Sequence, residues 1–350
     1  MSILRILLFP FSILYGLITY LRNKFYDFGW FKSTSFPIPI ISVGNLSMGG
    51  TGKTPHIEYL IRLLKDKYKL TTLSRGYGRK TKGFFMADGL TDAQDIGDEP
   101  MQFHQKFTDI NVAVDANRVE GVKEILASDI TTDLILLDDA FQHRRIKPGF
   151  QILLTPFDDL YADDWVFPTG RLREFTLGKS RADIIVVTKC PEQLSKKRVS
   201  EINKKLEVDN NQQLFFSKIV YGSVVFGWDK VLDFNDLLEY KLLLVTGIAN
   251  PLPLIKHLEN YDISFKHLKF ADHHDFTIDD VLKIDSDFVN LGSGKKVVLT
   301  TEKDYVRLST TSIHKSNLMY LPISVDFLNG DKTKFDKTIK GYVKQNKRNS

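Results

Sequence analysis

The chain has 350 residues, 43% of them hydrophobic, a formal net charge of +5 and a single cysteine, Cys190. That length and apolar content exclude a disordered chain and predict one large or two modest domains. The mildly basic balance suits anionic partners without choosing among them, and one cysteine excludes an intrachain disulfide.

Residues 6–21 (ILLFPFSILYGLITYL) carry no charge, with Arg5 before them and Arg22 and Lys24 behind. The stretch is shorter than the roughly 20 apolar residues a spanning helix needs. Pro10 and Gly16 are expected to interrupt it. No small-residue cleavage site follows, which argues against a signal peptide. Instead Phe25, Tyr26, Phe28, Trp30 and Phe31 lead to Lys32, a mixture suited to the headgroup boundary of a bilayer. Residues 1–35 are therefore expected to form a helical segment that docks on a membrane surface without crossing it.

From residue 36 the pattern is strand, loop, helix, repeated. The segments PIPIISVG, KLTTLS, INVAVD, DLILLDD, FQILLTP and ADIIVVTK are short and almost continuously apolar, as strands buried on both faces are. Polar helical stretches between them predict an α/β domain over residues 36–212, with a parallel sheet covered on both sides. A second series, KLLLVTG, ISFKHLKF and KKVVLTTEKD, predicts a smaller α/β lobe over 241–317. LFFSKIVYGSVVFG, within 213–240, and LMYLPISVDF, after 317, alternate like exposed strands. They are expected to pair as a two-stranded linker between the lobes. Residues 318–350 then hold the return strand and a Lys-rich, solvated C-terminal helix.

The strand IISVG runs into NLSMGGTGKTP, which begins at Asn45. Strand, glycine-rich turn, Gly-Lys-Thr and helix is what cradling phosphates requires. Glycines let backbone N–H groups close on the anion, Lys53 reaches the β- and γ-phosphates, and the Thr54 hydroxyl ligates Mg²⁺. The candidate nucleotide site is Ser47, Met48, Gly49, Gly50, Thr51, Gly52, Lys53 and Thr54, with Ser47 where the usual pattern has its first glycine. Asp138 and Asp139, ending an apolar strand, supply a carboxylate for the metal's water shell, as a Walker B segment does. The combination predicts a P-loop NTPase-like domain that uses ATP and Mg²⁺ in phosphoryl transfer.

Such a loop positions phosphates but does not deprotonate an alcohol, so a base is sought. Three loops offer one. GDEP presents Asp98 and Glu99; DAFQHRR follows the acidic strand with Asp139, Gln142 and His143; and DHHD carries Asp272, His273, His274 and Asp275. A histidine held by an aspartate is a competent acceptor near neutral pH. Basic loops lie in equivalent places, at Arg75, at Arg118, and at Arg171 and Arg173 beside Glu174. Arg forks suit phosphate, whereas Arg79 and Arg144 read as caps and surface ion pairs. No further His or Cys cluster points to zinc.

These loops together resemble the tetraacyldisaccharide 4'-kinase family of lipid A biosynthesis. The resemblance rests on VGNLSMGGTGKTP, SRGYGRK, GDEP, the Arg118 segment, DDAFQH, PTGRLRE, GIANP, ADHHDF and TEKD, in that order over residues 43–304. It implies transfer of the ATP γ-phosphate to the 4'-hydroxyl of a tetra-acylated glucosamine disaccharide 1-phosphate. The setting it implies is the cytoplasmic face of a Gram-negative inner membrane, with no nucleic acid and no obligate protein partner. It further implies that Ser47 to Thr54 bind ATP, that Thr54, Asp138 and Glu99 serve Mg²⁺, and that Asp98, oriented by His273, is the base. Arg118, Gln142, His143, Arg173 and Glu174 would line the acceptor site. Ala140 replaces an expected glycine, and Arg171 an apolar residue or proline. The rival readings are a GTPase or metal-delivery ATPase and a non-enzymatic nucleotide switch. Met48 stands where the former often has a lysine, and Thr188–Lys189 lacks the acidic partner of a guanine-reading loop; the latter has no need of Asp98 and His273.

Overall fold

A computed structural model describes residues 3–272, 274–313 and 315–347. The chain opens on helix α1 (Ile3–Asp27), continuous through Pro10 and Gly16, so the expected interruption does not occur. Gly16 instead lets the helix approach a neighbour, because a Cβ there would sit 2.4 Å from the Phe175 ring.

The first domain comprises β1 (Ile40–Asn45), α2 (Lys53–Leu64), β2 (Leu70–Ser74), β3 (Phe85–Met86), α3 (Ala93–Ile96), α4 (Asp98–Lys106), β4 (Asn111–Val114), α5 (Arg118–Ala127), β5 (Leu134–Asp138), β6 (Phe150–Pro156), β7 (Ile184–Thr188) and α6 (Lys196–Leu206). Two further strands, β8 (Gln213–Tyr221) and β15 (Ile323–Phe327), complete a nine-stranded sheet of order β15-β8-β7-β6-β1-β5-β2-β4-β3. It is parallel except for the outer pairs β3·β4 and β8·β15. Every residue of β1, β2, β5 and β7 is buried, which is why these strands read as unbroken apolar runs. Strand order reverses at β1, between β5 and β6, and a sheet of this kind binds ligands beyond the carboxyl ends of its strands at such a reversal.

The smaller lobe holds β9 (Val224–Gly227), β10 (Val231–Asp233), β11 (Lys241–Thr246), α7 (Leu252–Asn260), β12 (Phe265–Lys269), α8 (Ile278–Val289), β13 (Lys296–Thr301), α9 (Glu302–Leu308) and β14 (Leu318–Leu321). Its sheet runs β10-β9-β14-β13-β11-β12. The two connections do pair, β8 with β15 and β9 with β14, but not as a free-standing ribbon. Each pair extends one of the two sheets, so backbone hydrogen bonding continues into both lobes.

The C-terminal helix α10 (Lys332–Lys347) is not fully solvated. Phe335, Ile339 and Val343, four residues apart, are buried in the first domain's core, a spacing that places them on one helix face. The Tyr342 hydroxyl donates to the Ile40 carbonyl at 3.1 Å, so the chain's end seals the sheet that carries the candidate site.

Candidate active site

The loop between β1 and α2 takes its shape from glycines and from straps. Gly49 and Gly52 have φ of 110° and 91°, where a side chain would be strained. Its entry is tied to the 171–173 segment by Met48 N–H to the Arg171 carbonyl and Arg173 N–H to the Leu46 carbonyl, both 2.8 Å. The Thr188 hydroxyl donates to the Thr51 carbonyl at 2.8 Å, and the Lys189 ammonium to the Gly50 carbonyl at 2.6 Å. His56 closes the loop's exit. Its Nδ1 lies 2.7 Å from the Gly52 carbonyl, and its Nε2 lies 3.0 Å from the Ser217 hydroxyl. The carbonyl can only accept, so Nδ1 carries the proton and Nε2 accepts. Burial pushes this imidazole down to about 4, so it is neutral near pH 7. Gly52 caps α2 without a side-chain hydrogen bond, leaving the first N–H groups of that helix open to an anion.

The two acids ending β5 have different surroundings. Asp138 is 3% exposed, and its Oδ1 has no hydrogen-bond partner among the described residues. Burial, and then the nearby Glu99 carboxylate, push it up to about 7. Asp139, held at φ 47°, lies 3.7 Å from the Lys53 ammonium and receives Arg173 through both oxygens, at 2.9 and 3.1 Å. The two cations outweigh its burial and hold its carboxyl below the usual range. Asp138 is thus the orphan and Asp139 the paired acid.

Arg173, Gln142 and Glu174, expected on the acceptor side, form one polar chain. Arg173 also reaches the Gln142 side chain at 3.3 Å. Gln142 donates to the Asn45 carbonyl and to Glu174. Glu174 is buried and receives Arg181 on both oxygens and Asn23 on one. Helix α1 backs this chain directly: Arg22 donates to the Gln142 carbonyl, and the Tyr15 hydroxyl to that of Arg173, each at 3.3 Å. His143 is pushed down to about 4 by burial and by Arg118, Arg75 and Arg22. Arg118, only 1% exposed, turns inward and donates to the Asp115 and Asp138 carbonyls. In this state it braces the ends of β4 and β5 and is not presented to an acceptor. Arg144 pairs with Asp27 at 2.7 Å, as expected of an ion-pairing arginine, whereas Arg79 donates to the Val114 and Gly83 carbonyls and braces a loop in place of a cap or ion pair. A groove of about 900 Å³ opens beside this chain, lined among others by Tyr26, Phe31, Lys32, His143 and Lys147.

The smaller lobe closes over the other side. Asp98, the first residue of α4, is gripped by Arg307 of α9 at 2.5 and 2.6 Å, and Glu99 lies 3.9 Å from Lys303. The Lys303 ammonium is also acted on by the Asp272 carboxylate, after Glu99. His273 lies outside the described residues. Its neighbour His274 is 2.8 Å from Asp280, where it supports the cap of α8. Sequence reasoning missed His56, Lys303 and Arg307. Lys303 was visible only within TEKD, and Arg307 only as the residue three beyond Asp304.

A family model described as tetraacyldisaccharide-1-P 4'-kinase matches residues 4–344. The chain belongs to that family. Curated relatives named tetraacyldisaccharide 4'-kinase include one from Flavobacterium johnsoniae, 51% identical over 99% of both chains. Another, from Flavobacterium psychrophilum, is 47% identical over the whole of both. Among solved structures, LpxK from Aquifex aeolicus in complex with ATP superposes with a TM-score of 0.78 at 30% identity, covering 97% of this chain and all of that one. The Aquifex aeolicus protein thus shares this α/β architecture over its whole length.

Proposed function

We infer that this chain transfers the γ-phosphate of ATP to the 4'-hydroxyl of a tetraacyldisaccharide 1-phosphate, forming the 4'-phosphate of the lipid A precursor. Family membership supports the reaction. The observation that carries it is the convergence, at the carboxyl end of β1, of the glycine-rich loop with Lys53, the acids 138 and 139, and the α4 turn that holds Asp98.

Residues 47–54 would hold the nucleotide phosphates through loop N–H groups and the open end of α2, with Lys53 on the β/γ oxygens. Asp98 would take the 4'-hydroxyl proton as that oxygen bonds to the γ-phosphorus. The bond to the β,γ-bridging oxygen breaks and ADP leaves, while the proton rests on Asp98. Arg173, Gln142 and Glu174 would orient the acceptor. Thr54, Asp138 and Glu99 would supply an all-oxygen donor set, and the unpartnered, buried Asp138 oxygen suits a hard divalent cation. Mg²⁺ held there would neutralise charge on the β- and γ-phosphates. Arg118 would act on the acceptor only after leaving its two carbonyls.

The acceptor brings acyl chains, each buried CH₂ contributing ~0.8 kcal/mol to membrane residence, so the enzyme must come to the bilayer. No described helix is long and apolar enough to cross a membrane. Leu7, Phe11, Leu14, Ile18 and Leu21 nevertheless form an exposed stripe along α1, continued by Phe28 and Trp30. Peripheral docking by this stripe on the cytoplasmic face of the inner membrane would set the acceptor beside Gln142, Arg173 and Glu174. The aromatic and cationic groove would accommodate its apolar and phosphate parts. The test is ³²P transfer from ATP to purified disaccharide 1-phosphate in mixed micelles, with mass spectrometry of the product. A new phosphate at the 4'-position is expected. Nucleotide hydrolysis without transfer overturns the reading in favour of a switch or ATPase.

A further inference from the structure

GIANP and TEKD belong to the sequence signature, yet neither has a part in the chemistry above. Their residues form one connected support that ends on Asp98. Asp304 of TEKD is fully buried and accepts from Gly247 N–H at 2.9 Å and from the Thr301 hydroxyl at 2.7 Å. Its other oxygen lies 3.8 Å from Arg307 Nη1. Arg307, 7% exposed, sends Nε and Nη2 across the gap between lobes to a single oxygen of Asp98, at 2.6 and 2.5 Å. The path from Gly247 to Asp98 is thus hydrogen-bonded at its two ends and joined in the middle by the looser charge contact between Asp304 and Arg307.

Among the described residues Asp98 has no comparable support within its own lobe. It opens α4 behind Gly97, whose φ of 88° turns the chain, and among those residues its side-chain hydrogen bonds come from Arg307. A part-exposed aspartate so placed has several rotamers of similar energy. A planar guanidinium fork selects one of them, because it constrains angle as well as distance. Both arms of the fork bond Oδ2, so Oδ1 is not engaged by Arg307. The fork arrives only when α9 packs on α4, a contact also held by Lys106 between Glu302 at 2.6 Å and Glu58 at 2.7 Å.

We propose that Arg307 is a positioning residue for phosphoryl transfer. Delivered by the smaller lobe, it fixes the Asp98 carboxylate and so makes assembly of the reacting centre conditional on lobe closure. This rests on Asp98 being the base, and the experiment separates the two ideas.

Steady-state kinetics would compare Arg307→Ala, Arg307→Lys, Asp98→Ala, the Asp98/Arg307 double variant and Lys106→Ala. The last loosens the same α4–α9 contact without touching Asp98. Arg307→Ala is expected to lower kcat about tenfold to a hundredfold, the penalty of a misplaced reacting group, with KM for ATP within about threefold. Arg307→Lys, keeping charge but not the fork, is expected to recover only part of the loss. The double variant should be no slower than Asp98→Ala, since groups acting as a unit are not additive. Lys106→Ala should lose thermal stability while keeping kcat within about threefold. Full activity in Arg307→Ala, a loss of kcat in Lys106→Ala equal to that in Arg307→Ala, or additive losses in the double variant overturns the proposal. An active Asp98→Ala overturns the base assignment instead.

Discussion

At the scale of single residues, the site is organised by how each charge is compensated. Lys53 and Arg173 share Asp139, whereas the buried Asp138 keeps one oxygen without a hydrogen-bond partner among the described residues. Lys53→Ala removes the cation proposed to meet the β/γ-phosphates, where stabilisation would be felt mainly in the transition state. Turnover is expected to fall by orders of magnitude in a folded protein; kinetics beside a melting curve measure this, and activity within threefold of the parent removes Lys53 from the mechanism. His56 yields a prediction about pH. Its folded value of about 4 lies below the ordinary 6.5, so between those values the unfolded chain binds a proton that the folded one does not. Stability should therefore decline as pH falls from about 6.5 to about 4, by at most about 1.4 kcal/mol per unit from this group. Denaturation midpoints across that range should flatten in His56→Gln; an unchanged slope assigns the acid sensitivity elsewhere.

At the scale of elements, α1 has two faces with opposite demands. The inner face uses small residues: Ser12 donates to the Thr169 hydroxyl at 2.7 Å, and Gly16 admits Phe175. Phe9, Tyr15 and Tyr20 meet Trp165, Phe167 and Phe175 edge-on, so the helix is bolted to the segment that leads into Arg173 and Glu174. The outer face offers its stripe to solvent. Leu14→Glu with Ile18→Glu should abolish flotation with anionic vesicles while leaving the melting temperature nearly unchanged, because both residues are more than half exposed. Retained flotation would move membrane contact to another surface. Gly16→Val should act the other way, forcing the helix off Phe175 at a cost of about 1–3 kcal/mol, read as a lower denaturation midpoint.

At the scale of the whole molecule, the lobes meet through ion pairs. The Glu302 carboxyl, pushed up to about 7 by burial and then by Glu58, is protonated in the fold over a range where it is ionised in the unfolded chain. The folded state binds more protons between about 4.5 and 7, so this group's contribution to stability is lost as pH rises through that window. Glu302→Gln removes the repulsion from Glu58 while leaving Lys106 its bond to Glu58. The variant should melt higher than the parent at pH 8, and the advantage should vanish near pH 5. A lower melting temperature at both pH values would mean that the Lys106 pair outweighs the repulsion.

All but the short edge strands β3 and β10, together with the glycine-rich turn and the acids ending β5, were legible in the residues themselves. Their information is local: continuous apolar runs mark strands buried on both faces, and a turn at positive φ demands glycine at 49 and 52. The order of motifs also sufficed to name the family. What the chain order could not convey was which side chains meet. Asp98 and Arg307 are 209 residues apart, and Asn23 and Glu174 are 151 apart; their contacts depend on sheet register and on how one lobe seats on the other. The same reason explains three differences between expectation and structure. Arg118 looks like a free phosphate ligand until its carbonyl partners are in place. Gly16 looks like a break until Phe175 is set against it. The Lys-rich tail looks solvated until Phe335, Ile339 and Val343 find the sheet. Spacing along the chain determined the elements and the family; the packing of distant elements alone decided which charges are paired, which are buried and which face the reacting centre.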